Sequence, residues 1–442
     1  MSSVRTAALK ISAHAPAPNA AAAWQTAALA SCRMASILER PAAPPPSLRQ
    51  LRADFGLRYA ANGFIGWLFA ATAPVAIILS VGSQGGLSEA QLASWLFGAF
   101  FVNGLVTILF CWLYRQPLAF FWTIPGTVLV GPALARLSFA EVVGAYVATG
   151  LLVLALGASG WVRRAMAAVP MPIVMGMVAG VFLRFGLDLV RALHQDPAIA
   201  GAMVGAWLAL SLWPAAGKRL PPLIGALLAG ALAIALLGRF DGASLGALEL
   251  ARPLWPAPAF SWPAMVELVI PLAITVLVVQ NGQGIAVLRN AGHEPPVNAI
   301  AVACGIGALA SAAVGAISTC LTGPTNAILT ASGEKPRHYT AGIVTGVLAL
   351  GFGLLAPACT RLMLQAPKAF IMTLAGLAML RVLQAAFVTS FRDRFTLGAL
   401  VAFLVTVADL GLWNIGAAFW GLVAGLGVSW LLERADFVGA AR

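Results

Sequence analysis

STCLTGPTNAILTA, residues 318–331, lies in one of the most apolar regions of the chain, yet it sets Ser318, Thr319, Thr322, Thr325 and Asn326 around a Gly323-Pro324 pair. Glycine and proline weaken a helix at its centre, and irregular backbone at membrane depth is tolerated only where it is buried in protein or lines a cavity. The depth follows from composition. Mean hydropathy is +0.90, 60% of the 442 residues are hydrophobic and 10% are charged, whereas a soluble domain carries about a quarter charged residues. The chain therefore reads as an all-α polytopic membrane protein, and continuous apolar runs argue against alternating barrel strands.

About fourteen runs approach the roughly 20 residues that span a bilayer. They cover 60–81, 91–113, 118–135, 139–160, 169–188, 198–214 and 221–238, then 265–288, 297–317, 319–331, 339–358, 368–387, 395–411 and 413–432. With the N-terminus inside, the inside joints hold Arg115, Arg163, Arg164, Lys218, Arg219, Arg289, Lys335, Arg337, Arg392 and Arg394. The outside joints hold fewer basic residues, chiefly Arg136, Arg191, Arg239, Arg252, Arg361 and Lys368. Both termini are expected in the cytoplasm, since basic residues in short loops stay inside. The net charge of +12 is then a topology signal strengthened by anionic lipid, and no basic aromatic stripe suggests nucleic acid.

Residues 1–50, with APAPNAAAA and RPAAPPPS, are low in large apolar side chains and read as a disordered tail without a signal peptide. Met34 offers an alternative start. The five cysteines, Cys32, Cys111, Cys304, Cys320 and Cys359, are widely spaced and read as packing residues, with no disulfide framework and no metal signature.

An offset of 197 residues recurs in the chain. PVAI from Pro74 matches PLAI from Pro271, Gly126 matches Gly323, and PMPIVMGMVAGVFLR (170–184) matches PKAFIMTLAGLAMLR (367–381). The chain thus divides into 51–240 and 241–434, each with seven spans, and an odd number of spans inverts the second copy in the membrane. Inverted repeats typify secondary transporters, and paired interrupted spans point to their site. PLAFFWTIPGTVLVGPALA and STCLTGPTNAILTA form such a pair. Gly126 and Gly323 permit irregular backbone, Pro324 suits the first turn of a half-helix, and two facing helix N-termini of about half a positive charge each can hold one carboxylate. Alternatively, both segments are kinks in packed helices.

Gln280, Asn281 and Gln283 can donate to a carboxylate or simply cap a helix end, and Phe120, Phe121 and Trp122 can stack on an aromatic ligand or face lipid. Arg184 and Arg381 recur near span ends, as snorkelling residues or as a gate or counter-charge. Glu267 and Asp409 are the carboxylates nearest apolar runs and so candidates for proton coupling. His194, His293 and His338 fall in joints, and no buried histidine relay is expected.

WTIPGTVLVG, QNGQGIAVLRNAGHEPPV, AGVFLRFGL and AAFWGLVAG resemble the benzoate:proton symporter family of bacterial inner-membrane proteins, over about residues 50–433. That family is similar in architecture to uracil and nucleobase transporters and to sulfate/bicarbonate-type transporters. The resemblance implies a seven-plus-seven inverted repeat with a core domain of spans 1–4 and 8–11, a gate domain of spans 5–7 and 12–14, and short extended segments in spans 3 and 10. By motif position it implies substrate contacts at Thr123, Gly126 and Thr127, at Gln280 and Asn281, and at Gly323, Thr325 and Asn326. The related uracil transporters carry glutamates in spans 8 and 10. Gln280, Thr325 and Asn326 replace those charges here, which suits an anionic substrate and leaves the coupling proton without its usual carrier.

The expected function is proton-coupled import of benzoate or a similar aromatic carboxylate, with no cofactor; the resemblance also allows a homodimer. An uncoupled anion channel or exchanger on the same fold is the alternative. An intramembrane enzyme would need a nucleophile with its base or a metal cluster, and the spans offer neither.

Overall fold

The computed structural model describes residues 38–168, 170–213, 220–239, 249–409, 412 and 417–440. Met34, Cys32 and the basic joint at Lys218 and Arg219 lie outside them. In chain order the principal elements are α1 (Leu57–Gln84), α2 (Glu89–Tyr114), β1 (Phe120–Trp122), α3 (Ile124–Leu134), α4 (Phe139–Ser159), α5 (Met171–Gln195), α6 (Pro197–Leu212) and α7 (Pro222–Leu236). There follow α8 (Trp262–Asn290), α9 (Val297–Ala313), β2 (Thr319–Leu321), α10 (Gly323–Thr330), α11 (His338–Leu354), α12 (Lys368–Phe391), α13 (Thr396–Ala408) and α14 (Ala417–Leu432).

Among the described residues six helices, α1, α2, α4, α5, α8 and α12, are long and apolar enough to cross a membrane. A further pair, Lys335–Leu354 and Ala356–Leu364, passes together with a 70° bend, and α3, α6, α7, α9, α13 and α14 are shorter apolar helices. The two interrupted segments are each a three-residue strand followed by a short helix, of 11 residues in α3 and 8 in α10.

β1 and β2 pair antiparallel, Phe120 opposite Leu321, Phe121 opposite Cys320 and Trp122 opposite Thr319. Backbone bonds from Thr123 N–H to Ser318 O and from Thr322 N–H to Ala119 O, both 3.1 Å, extend the ribbon. A strand edge inside a bilayer has no water to bond, so side chains must supply the partners. Thr107 of α2 accepts from Phe120 N–H at 2.8 Å and donates to its carbonyl at 3.1 Å. Asn281 accepts from Leu321 N–H at 2.7 Å on the other edge.

α4 packs on α9, and α5 on α12, through small residues that let backbones approach. A Cβ on Gly305 would stand 2.6 Å from the Leu154 backbone. α5 and α12 run to Gln195 and Phe391, beyond the expected span ends at 188 and 387. Arg184 and Arg381 therefore stand near mid-helix rather than near an end.

The expected N-terminal tail is docked from residue 38 onward. The Glu39 carboxylate accepts from Asn298 and Ala299 N–H at 3.1 Å, capping α9, whose own Pro296 cap has no side-chain acceptor. Tyr114 and Trp112 donate to the carbonyls of Glu39 and Pro46. A helix, Leu48–Asp54, then leads into α1.

Candidate functional site

The site is built where the two half-helices leave the ribbon. Thr123 caps α3: its Oγ1 accepts from Gly126 N–H at 3.1 Å and lies 3.2 Å from Thr275 Oγ1. Thr127 donates to the Thr123 carbonyl at 2.9 Å. These hydroxyls serve the backbone of α3. The start of α10 differs, because Thr322 makes no side-chain cap and Pro324 lies in the first turn. An uncapped N-terminus keeps its partial positive charge available to an anion.

Gln283 of α8 lies across this end, for a Cβ on Gly323 would meet its Cγ at 2.6 Å. Gln280 is buried on the same helix, in a π-helical stretch, Thr275–Asn281, that rotates the following side chains relative to a regular helix. Such π-helical insertions often mark functional sites. Neither glutamine amide has a hydrogen-bond partner among the described residues. Thr325 is buried with its methyl facing Gly66 of α1.

Two asparagines expected as substrate contacts also bond the frame of the site. Asn281 bonds Leu321 N–H and Cys304 Sγ, and Asn326 accepts from Ala119 N–H at 2.9 Å. Behind the ribbon Phe100 sits 5.7 Å from Phe121 and 5.1 Å from Trp122, ring to ring, within a cluster that includes Phe352. The aromatic run of β1 is thus packed inside the protein and not on lipid. Buried polar atoms without hydrogen-bond partners among the described residues gather here: Trp122 Nε1, Ser318 Oγ, Thr319 Oγ1 and Asn326 Nδ2.

Each half-helix leads from the ribbon to a cleft. The first, about 600 Å³, is lined by Val128, Pro132 and Arg136 of α3 and its end, by Arg184 of α5 and by Glu267 of α8. The second, about 500 Å³, is lined by Ile328 of α10, Phe69 of α1, Trp207 of α6 and Arg381 of α12. None of the eight expected contacts lines either cleft. Arg136 binds Glu267 at 2.7 Å where the first cleft meets α8.

Residues 53–431 match the family described as benzoate membrane transport protein. The chain belongs to that family. It is a multi-pass membrane transporter and not an enzyme. Over 370 residues it is 30% identical to the inner membrane protein YdcO of Escherichia coli (strain K12), covering 82% of this chain and 93% of that one. Over 387 residues it is 27% identical to a benzoate membrane transport protein of Acinetobacter baylyi, covering 86% and 96%. Its fold is similar to the transmembrane domain of a cyanobacterial bicarbonate transporter, BicA, with a TM-score of 0.59 at 18% identity over 84% of this chain and 99% of that domain.

Sequence reasoning missed three features of this family member. Thr275 joins the cap of α3, and Thr107 bonds the ribbon edge; a single threonine in an apolar helix carries no signal of either task. The third is a histidine pair. His293 Nε2 lies 3.0 Å from His338 Nδ1, and both residues are buried, against the expectation of no buried relay. His338 Nε2 faces the Gly333 carbonyl at 3.1 Å and must donate to it. In the neutral state His338 Nδ1 therefore accepts from His293 Nε2–H. Burial, then the neighbouring His338 and Lys335, lowers His293 to about 4.

Proposed function

We propose that this chain is a carrier for benzoate or a similar aromatic carboxylate, driven by protons and working by alternating access. The observation that carries the reading is the uncapped start of α10, with buried Thr325 in its first turn and the Gln283 side chain against Gly323. A carboxylate there would take backbone and amide donors without a fixed cation. Family membership and the naming of the Acinetobacter relative supply the substrate class.

The proposed architecture is fourteen spans in two inverted halves, with core spans 1–4 and 8–11 and gate spans 5–7 and 12–14. Supporting it, the starts of α5 and α12 stand 197 apart (171 to 368), while the cap threonines and the prolines stand 199 apart (123 to 322, 125 to 324). The two-residue shift aligns WTIPGT with LTGPTN, so Pro125 rather than Gly126 takes the place of the Gly323-Pro324 step. Glu267, buried beside Arg136, is the proposed proton carrier. The proposed location is the bacterial inner membrane with both termini cytoplasmic.

The test is uptake of radiolabelled benzoate into proteoliposomes with and without an inward proton gradient, for the native protein and a Gln280→Leu, Thr325→Val variant. We expect gradient-driven accumulation, reduced at least about tenfold in the variant, as the loss of a hydrogen bond to a charged group of about 1.5–3 kcal/mol implies. Uptake that only equilibrates would point to the channel or exchanger. Folded protein that moves no benzoate would overturn the substrate assignment.

A further inference from the structure

We infer that Arg381 holds the substrate carboxylate in the second cleft and that Arg184 is its counterpart in the first, so each cleft is a binding vestibule on one side of the half-helix site. The inference rests on the reading above that the substrate is an aromatic carboxylate. It begins with position. Arg184 lies at the fourteenth residue of the 25 in α5, and Arg381 at the fourteenth of the 24 in α12. A snorkelling arginine sits within the last turn or two of a span. At about 1.5 Å per residue, each of these stands over 10 Å from either end of its helix, and each borders a cleft.

Electrostatics narrows the role. In the first cleft Arg136 is paired with Glu267 and Arg191 with Asp188, while Arg184 has no carboxylate within ion-pair distance among the described residues. Asp409 lines the same cleft, which makes this vestibule a mixed-charge one that releases an anion readily. In the second cleft Arg381 is the one charged group among the described lining residues, and its guanidinium donates to the Gln384 side-chain oxygen Oε1 at 3.1 Å. The Arg381 side chain is exposed to this cleft, and an ionised group between apolar walls is costly unless it meets a ligand or water.

The walls of the second cleft describe that ligand. Phe69, Trp207 and Ile224 offer apolar and aromatic surface, and Thr72 and Ser211 add two hydroxyls. A planar guanidinium fork beside an aromatic slot matches a ring bearing a single carboxylate, because the fork can take both oxygens while the ring replaces water on the apolar wall. Ile328, in the last turn of α10, forms part of the same wall. A substrate leaving the half-helix site toward this side would meet Arg381 next.

The experiment is benzoate transport kinetics in proteoliposomes for Arg381→Gln, Arg381→Lys, Arg184→Gln and Ser211→Trp, each checked for monodispersity and melting in detergent. Arg381→Gln should raise the KM for benzoate at least tenfold from the second-cleft side, with lysine intermediate because it keeps the charge and loses the fork. Arg184→Gln should raise KM from the opposite side, by less. Ser211→Trp, which fills the slot and leaves Arg381 in place, should raise KM as well and serves if Arg381→Gln does not fold. A native protein that carries no benzoate refutes the proposed substrate. Native transport with KM unchanged in folded Arg381→Gln, or unchanged in Ser211→Trp, refutes the vestibule.

Discussion

Asn281 and Asn326 each give a side-chain carbonyl to a backbone N–H of the ribbon, Leu321 at 2.7 Å and Ala119 at 2.9 Å. In a helical run an asparagine next to a glutamine reads as one more donor for a ligand, and only the cross-chain geometry separates the two. Asn281→Leu should leave the Leu321 N–H buried without an acceptor and cost about 1–3 kcal/mol. The expected outcome is a lower melting temperature in detergent together with lower uptake. Gln280→Leu should instead leave the melting temperature unchanged while uptake falls. An Asn281→Leu protein that melts like the native one would remove the clamp from the account of the ribbon.

Between elements, the histidine pair ties the loop after α8 to the start of α11, with His293 donating to His338 and His338 to Gly333. His293 is held near 4 against an ordinary value of 6.5. The unfolded chain takes up this proton as pH falls below 6.5, and the folded protein does so only near 4, so the unfolded state binds more protons between those values. Stability from this group is complete above pH 6.5 and declines as pH falls toward 4. Thermal melts in detergent at pH 7 and pH 5 should show the native protein losing stability, with a smaller loss in His293→Gln. Equal losses would place the acid sensitivity elsewhere. Lys335 faces the same pair, so a second positive charge there is disfavoured.

For the molecule as a whole, the docked N-terminal segment closes one end of the bundle. Glu39 caps α9 and lies 3.7 Å from Arg163, while Asp54 receives Tyr339 Oη–H at 2.7 Å and lies 3.6 Å from Arg115. Segments far apart in sequence are held together at this end by carboxylates that the charge count treats as mere balance. Glu39→Ala should cost about 1 kcal/mol through loss of the cap, read as a fall in melting temperature, with Glu39→Gln closer to the native value. A Glu39→Ala protein with native stability would show that the segment is held by Pro46 and its neighbours alone.

The sequence by itself determined the membrane class, the interrupted character of residues 118–135 and 318–331, the recurrence near 197 residues and the family, because these depend on composition and local backbone preference. Proline and glycine at 323–324 announce a break wherever they stand in an apolar run. Tertiary structure alone decided that the breaks pair as antiparallel strands, that the side-chain oxygens of Asn281 and Asn326 clamp backbone N–H groups, and that Arg184 and Arg381 stand at mid-helix in two clefts. Those outcomes depend on which group meets which across some two hundred residues of chain. A buried polar atom takes the partner that the fold brings within 3 Å, and no local pattern encodes that partner's identity.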